Sequence, residues 1–266
     1  MTGWPIGPIV PMQDPTPFSP FSPADWRAAL KVVARRGFEG VELAITDPLL
    51  LDSAAVAEAL REEGLRLLSI TTGQAAAKEG LSLSSCDEGV RRRAIERIQA
   101  HMALAEPFDA VVIVGSLRGA DGDFDRLIES FRACAGAVPD VRVALEPLNR
   151  YESRLINTVG AALDAIERIG ADNVGILFDT FHANIEEAEP ASAAVAAGER
   201  LVHVHLADSN RWVPGHGHLP FESIWSALSR IDYAGATVLE PLVRPSAEDL
   251  LGAGDAIRAR WSALDA

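Results

Sequence analysis

The chain has 266 residues, 48% hydrophobic and 23% charged, a composition that suits a globular protein with a sizeable core. With 38 acidic and 24 basic residues its formal net charge is −14, which argues against nucleic acid and anionic membrane as partners. The two cysteines, Cys86 and Cys134, sit in no CxxC or Cys/His cluster, so neither a disulfide framework nor a structural zinc site is indicated.

In chain order, Met1–Pro11 has no Lys or Arg and no long apolar run, so it does not read as a signal peptide. No stretch is apolar enough to span a membrane, and the expected location is the cytoplasm. Pro5–Pro23 is rich in proline and reads as an irregular entry holding at most one short strand near Gly7–Val10. Short β-like runs and helical periodicities then alternate. The strand candidates are Gly40–Leu43, Leu65–Ile70, Ala110–Val114, Val141–Leu145, Val174–Phe178, Leu201–Leu206 and Ala236–Leu239. Helical spacing marks Pro23–Arg36, Glu88–Ala105, Thr158–Ile169 (with Thr158 as cap) and a final helix over Ser246–Ser262. Eight βα units at about 33 residues each match a single (β/α)8 TIM barrel over residues 1–266. An open doubly wound sheet is the alternative, but neither GxGxxG nor GxxxxGK[ST] occurs.

Leu-Glu-Pro-Leu occurs twice, at 145–148 and 239–242, each time closing an apolar run. Proline cannot donate to a sheet ladder, so each strand stops just past a carboxylate, Glu146 or Glu240. Side chains alternate along a strand, which allows each residue to be assigned a face. Val202, Val204 and Leu206 are expected to face the helices, with His203 and His205 inward. The same rule sends Glu146, Asp179 and Glu240 inward at strand ends, and Glu42 likewise. In a barrel these C-terminal ends build the active site. Three carboxylates and an imidazole suit one hard or borderline divalent ion. Oxygen-dominated ligation suits Mn²⁺ or Mg²⁺, with Co²⁺ or Zn²⁺ as alternatives, and no organic cofactor is indicated. Glu42 and His203 are expected behind the ligands as supports or substrate contacts. Trp212 is the favoured aromatic for stacking on a substrate ring, and Trp4 reads as core. Ser116 and Arg118 follow a strand and are candidates for substrate contact.

The segments Glu-Pro-Leu-Asn-Arg-Tyr-Glu at 146–152, Phe-Asp-Thr-Phe-His at 178–182, His-Leu-Ala-Asp-Ser-Asn-Arg at 205–211 and Leu-Glu-Pro at 239–241 resemble the xylose isomerase-like TIM barrels. Within that family they are most similar to the sugar phosphate isomerase/epimerase group, which includes D-tagatose 3-epimerase and the hydroxypyruvate and inosose isomerases. The resemblance implies one Mn²⁺-like ion on Glu146, Asp179, His205 and Glu240. It implies Glu146 and Glu240 as an acid/base pair, and Glu152, His182 and Arg211 as contacts to the sugar's oxygens. The implied chemistry is proton abstraction beside a carbonyl through a metal-bound enediolate. Returning the proton on the opposite face gives an epimerase; returning it to the neighbouring carbon gives an aldose–ketose isomerase. The alternative is a dehydratase or lyase acting on an inosose or keto-sugar at the same site. The loop after His205 departs from the Glu-Ser-His-Arg type of the ketose 3-epimerases, which bears on the sugar accepted. The partners implied are a small-molecule sugar and, from the family, a homodimer or homotetramer.

Overall fold

The computed structural model describes residues 3–264; residues 1, 2, 265 and 266 at the ends of the expected 1–266 domain lie outside the described residues. Eight parallel strands close into a barrel in sequence order. They are β1 (Ile6–Pro11), β2 (Gly40–Ala44), β3 (Arg66–Thr71), β4 (Val111–Val114), β5 (Val143–Leu145), β6 (Val174–Asp179), β7 (Leu201–Leu206) and β8 (Ala236–Leu239). Around them lie α1 (Trp26–Arg35), α2 (Ser53–Glu63), α3 (Gly73–Glu79), α4 (Glu88–Ala105) and α5 (Phe124–Ala137). The ring continues with α6 (Val159–Ile169), α7 (Thr180–Glu186), α8 (Pro190–Ala197), α9 (Phe221–Arg230) and α10 (Ala247–Leu264).

The periodic segments become helices where the sequence also supplies caps. Asp87 accepts from the Val90 N–H at the start of α4, and Thr158 accepts from the Ala161 N–H at the start of α6. Gly170, in the left-handed region at φ 69°, ends α6 as a side-chain-bearing residue would do only with strain.

The proline-rich entry is more regular than its composition suggests. β1 is a continuous, fully buried strand of six residues, and the irregular backbone begins only after Pro11. Its first three residues pair with β8 and its last three with β2, closing the barrel. Gly7 makes this closure feasible: a Cβ there would lie 2.1 Å from the Gly40 carbonyl oxygen.

Two irregularities shift side chains between faces. Between β2 and β3 the register slips at Leu68, and between β6 and β7 it slips at Val202. Each extra residue reverses the alternation beyond it. Val202 therefore faces the barrel interior beside Leu177 and Val111, not the helices, and fills the space that Gly175 leaves open. Leu68 and Ser69 both point inward for the same reason. The interior apolar residues form two separate patches. Ile9, Ala44, Leu68 and Val238 lie on one side; Val111, Ile113, Ala144 and Leu177 lie on the other. The buried Glu42, Ser69, His203 and His205 supply the interior's polar contacts.

Candidate active site

Glu146 and Glu240 reach the site by the same local device. The Glu146 N–H still donates to Val114 O at the end of β4, and the Glu240 N–H to Leu206 O at the end of β7. Pro147 and Pro241 follow and cannot extend the ladder. Each carboxylate is thus fixed by the last rung of its strand. Asp179 closes β6 and also caps α7, its Oδ1 accepting from the Phe181 N–H at 2.7 Å, which leaves Oδ2 facing the site. His205 is the inward residue one position before the end of β7.

One ligand atom from each of Glu146, Asp179, His205 and Glu240 lies within 4.8 Å of the others, and all four residues are buried. Asp179 Oδ2 and His205 Nδ1 are buried without hydrogen-bond partners. Orphaned buried acceptors and crowded carboxylates are costly unless something positive lies between them. Three oxygens and one imidazole nitrogen fit a hard or borderline divalent cation.

The protein's own cations compensate part of this charge. Arg211 Nη2 donates to Glu240 Oε2 at 2.5 Å, and Nη1 lies 3.1 Å from Asp179 Oδ2. Burial alone would push the Glu240 carboxyl up, but His205 and Arg211 outweigh it and hold Glu240 at about 2. Glu146 goes the other way: burial, then Glu240 and Asp179, push its carboxyl well above the ordinary range. For His205, burial opposes charge, and Glu42 and Glu240 overcome it to raise the imidazole well above its usual value.

Behind this cluster lies a buried polar chain. His205 Nε2 lies 3.0 Å from Glu42 Oε2, which also accepts from Ser69 Oγ at 2.6 Å. Ser69 donates to Glu42, so it accepts from His203 Nε2–H at 3.2 Å. The Glu42 contact places the His205 Nε2 proton away from the site and leaves Nδ1 facing Glu240 at 3.1 Å.

His182 sits across the cluster, its Nε2 3.7 Å from Asp179 Oδ2 and 3.8 Å from Glu146 Oε1. Its Nδ1 is met at 3.3 Å by the Asn149 N–H and at 2.8 Å by Asn149 Nδ2. Both groups only donate, because Asn149 Oδ1 is engaged by the Tyr151 N–H and Nδ2 also donates to Glu152 Oε1. Nδ1 therefore faces donors, and Nε2 faces another, Arg211 Nη1 at 3.2 Å, so the imidazole is held between donor groups on both sides. Burial lowers the His182 pKa and keeps the ring neutral.

A cavity of about 280 Å³ opens above the cluster at the C-terminal end of the barrel. Glu146, Glu152, His182, Arg211 and Glu240 line one side; Pro15–Phe18, Thr71, Gln74, Lys78 and Ser116 line the other.

Residues 30–260 match the xylose isomerase-like TIM barrel family. The chain belongs to that family. It is 34% identical over 238 residues to a D-psicose 3-epimerase of Enterocloster bolteae, covering 83% of this chain and 78% of that one. Over 136 residues, about half of each chain, it is 38% identical to a 3-dehydro-D-guloside 4-epimerase of Escherichia coli. A D-allulose 3-epimerase from Methylomonas sp., solved in complex with D-allulose, superposes with a TM-score of 0.83 at 25% identity, covering 97% of each chain. The relatives matched over most of this family member's length are isomerase-class enzymes.

In this xylose isomerase-like barrel the nine residues singled out from sequence gather in and beneath one cavity. Ser116 also lines it, but Arg118 does not. Arg118 is fully buried and donates to Ile156 O at 3.0 Å. Trp212 is 37% exposed and lies outside the cavity lining, so the aromatic at the site is Phe18. Trp4 packs against Tyr233 and Trp261, as a core residue should. His218 is exposed, with Nδ1 2.9 Å from Ser209 Oγ. Alternation could not find Ser69, because the bulge reversed its face. Asn149 sits inside the repeated Glu-Pro-Leu segment and was open to notice. Asp208 ties down the loop after β7, accepting from the N–H groups of Ser209, Gly215 and Leu219.

Proposed function

We propose that the protein is a sugar epimerase that inverts a carbon next to a ketone, most simply C3 of a free ketose. The observation carrying this reading is the pairing of Glu146 and Glu240. Two strands deliver matching carboxylates to one cavity, yet their surroundings push the two proton affinities in opposite directions. An epimerase acting by proton transfer needs one group that holds a proton and one that takes it. Glu240, held ionised by Arg211 and His205, is suited to remove the proton. Glu146, which retains its own, is suited to return one on the opposite face. The reverse reaction exchanges the roles.

The remaining residues bind and orient. His182 lines the cavity and is placed to contact a substrate oxygen. Arg211 offers further donors, and Glu152 accepts from a hydroxyl. Glu146, Asp179, His205 and Glu240 would hold a divalent cation, Mn²⁺ by preference. Bound there, it would supply positive charge against the negative charge developing on the substrate carbonyl oxygen. Glu42 sets the tautomer of His205 toward that cation, with Ser69 and His203 holding Glu42 in turn.

A second reading comes from the 38% identity with the guloside 4-epimerase: a keto-glycoside inverted at C4. It uses the same proton transfer next to a ketone and differs in the sugar presented.

Deuterium uptake from D₂O, followed by NMR with Mn²⁺-loaded protein, tests both. Free ketoses, ketose phosphates, keto-glycosides and inososes form the panel. Label at the carbon beside the ketone, with an epimeric product, supports the reading, and the labelled position separates C3 from C4. Loss of water with a new enone absorbance would replace it with a lyase. No exchange with any member would remove it.

A further inference from the structure

Arg211 is unusual in both backbone and side chain. Its φ is 60°, in the left-handed region that a non-glycine residue occupies at a cost. Backbone bonds on either side secure that conformation: Arg211 N–H donates to Asp208 O at 2.8 Å, and Leu242 N–H donates to Arg211 O at 2.7 Å. The guanidinium carbon lies 4.7 Å from the ring centroid of Phe181 and 4.9 Å from that of Phe18.

The two rings have different origins. Phe181 follows Asp179 at the start of α7, within the segment that carries the ligands. Phe18 comes from the opposite half of the barrel, in the proline-rich loop after β1. That loop is bound firmly. Thr46 Oγ1 donates to Asp14 Oδ2 at 2.7 Å, and Gln74 Nε2 donates to Asp14 O at 2.7 Å. Gln13 Oε1 accepts from the N–H groups of Thr46 and Asp47. Phe18 itself packs on the interior patch containing Ile9 and Val238.

We infer that Phe18 is a positioning residue: it stacks on the Arg211 guanidinium and holds it toward the cavity, so the first loop acts on the substrate through Arg211. The physical reason lies in what else could hold that side chain. Arginine has a long, flexible stem, and its other partners here are Glu240, Asp179 and His182. Two of these are carboxylates that a divalent cation would share, which weakens their hold on the guanidinium. Ring stacking survives that competition because it uses the guanidinium face and leaves its N–H edge free.

The test has a spectroscopic arm independent of turnover and a kinetic arm that rests on the epimerase reading. In ¹⁵N-arginine-labelled protein, Arg211 is assigned by loss of its signal in Arg211→Lys, and its Nε–H resonance should carry a ring-current shift. Phe18→Leu keeps an apolar side chain but removes the π face. It should abolish part of the shift and lower kcat/KM by about ten-fold. Phe18→Tyr should restore both. Thr46→Val, which removes one of the bonds holding Asp14 without touching the cavity, should reproduce the Phe18→Leu effect in weaker form and serves if Phe18→Leu does not fold. An unchanged Arg211 resonance in Phe18→Leu, or a Phe18→Tyr variant as impaired as Phe18→Leu, overturns the inference. If the wild type turns over no sugar, the epimerase reading fails while the resonance still decides the role of Phe18.

Discussion

Strands β5–β8 and strands β1–β4 face each other across one cavity but furnish it with different chemistry. Every carboxylate and imidazole lining the cavity comes from β5–β8 or the loops that follow them. The opposite half contributes Ile9, Phe18, Ala44, Thr71, Gln74 and Lys78. Its one strand carboxylate that points inward, Glu42, is fully buried beneath the cluster and meets His205 there. Reacting atoms need charge placed within a few tenths of an ångström, and strand ends provide that rigidity. The rest of a substrate needs shape and a few polar contacts, which loops can supply.

The largest effect should come from the half that carries the charge. Glu240→Gln or Glu146→Gln should lower deuterium exchange at the substrate carbon by about 10²–10⁴-fold with the fold intact, measured by NMR and circular dichroism. Comparable exchange in either variant would break the assignment of chemistry to β5–β8.

Glu42→Gln crosses between the halves. It removes the negative charge that holds the His205 Nε2 proton, and Mn²⁺ affinity should fall by about 10–100-fold in calorimetry. An unchanged affinity would confine the role of Glu42 to packing.

Gly115 belongs to the loop after β4, yet a Cβ there would lie 2.2 Å from Glu146 Oε2. Gly115→Ala should displace that carboxylate and lower kcat by about ten-fold or more, with a smaller change in KM. If KM rises alone, Gly115 serves the wall and not the acid/base pair.

Cation binding should also depend on pH in a defined direction. His205 has a raised pKa value, so without a cation its imidazole retains a second proton to a higher pH than usual. A cation on Nδ1 must displace that proton, so affinity should rise as pH rises and binding should release a proton. Calorimetry in buffers of different ionisation enthalpy reads the release; affinity falling with increasing pH would contradict it.

The smallest effect belongs to the wall. Lys78 is paired only loosely, 3.5 Å from Asp14 Oδ1, at the side of the cavity away from Glu146 and Glu240. Lys78→Met should alter KM among different sugars by a few-fold and leave kcat for the best one nearly unchanged. A collapse in kcat would mean that β1–β4 take part in the chemistry.

The same division governs what could be read before folding. Glu146 and Glu240 announce themselves because the residue after each is a proline that ends a strand. Asp179 and His205 follow from two-residue alternation in apolar runs, and the βα rhythm specifies a barrel. These are local properties, carried by backbone donors and side-chain periodicity. Ser69 and Val202 escaped because a bulge is a relation between two strands, invisible in either alone. Phe18 lies 193 positions from Arg211, and nothing in a proline-rich loop indicates which side chain it will meet. The opposite proton affinities of Glu146 and Glu240 likewise arise from neighbours brought in by other strands. The sequence by itself determined the elements, the direction of the barrel and the residues at its charged rim, because these depend on short-range sterics and hydrogen bonding. Only the tertiary structure decided the bulged faces, the contact of Glu42 with His205 and the contact between Phe18 and Arg211, because each depends on distances between segments far apart along the chain.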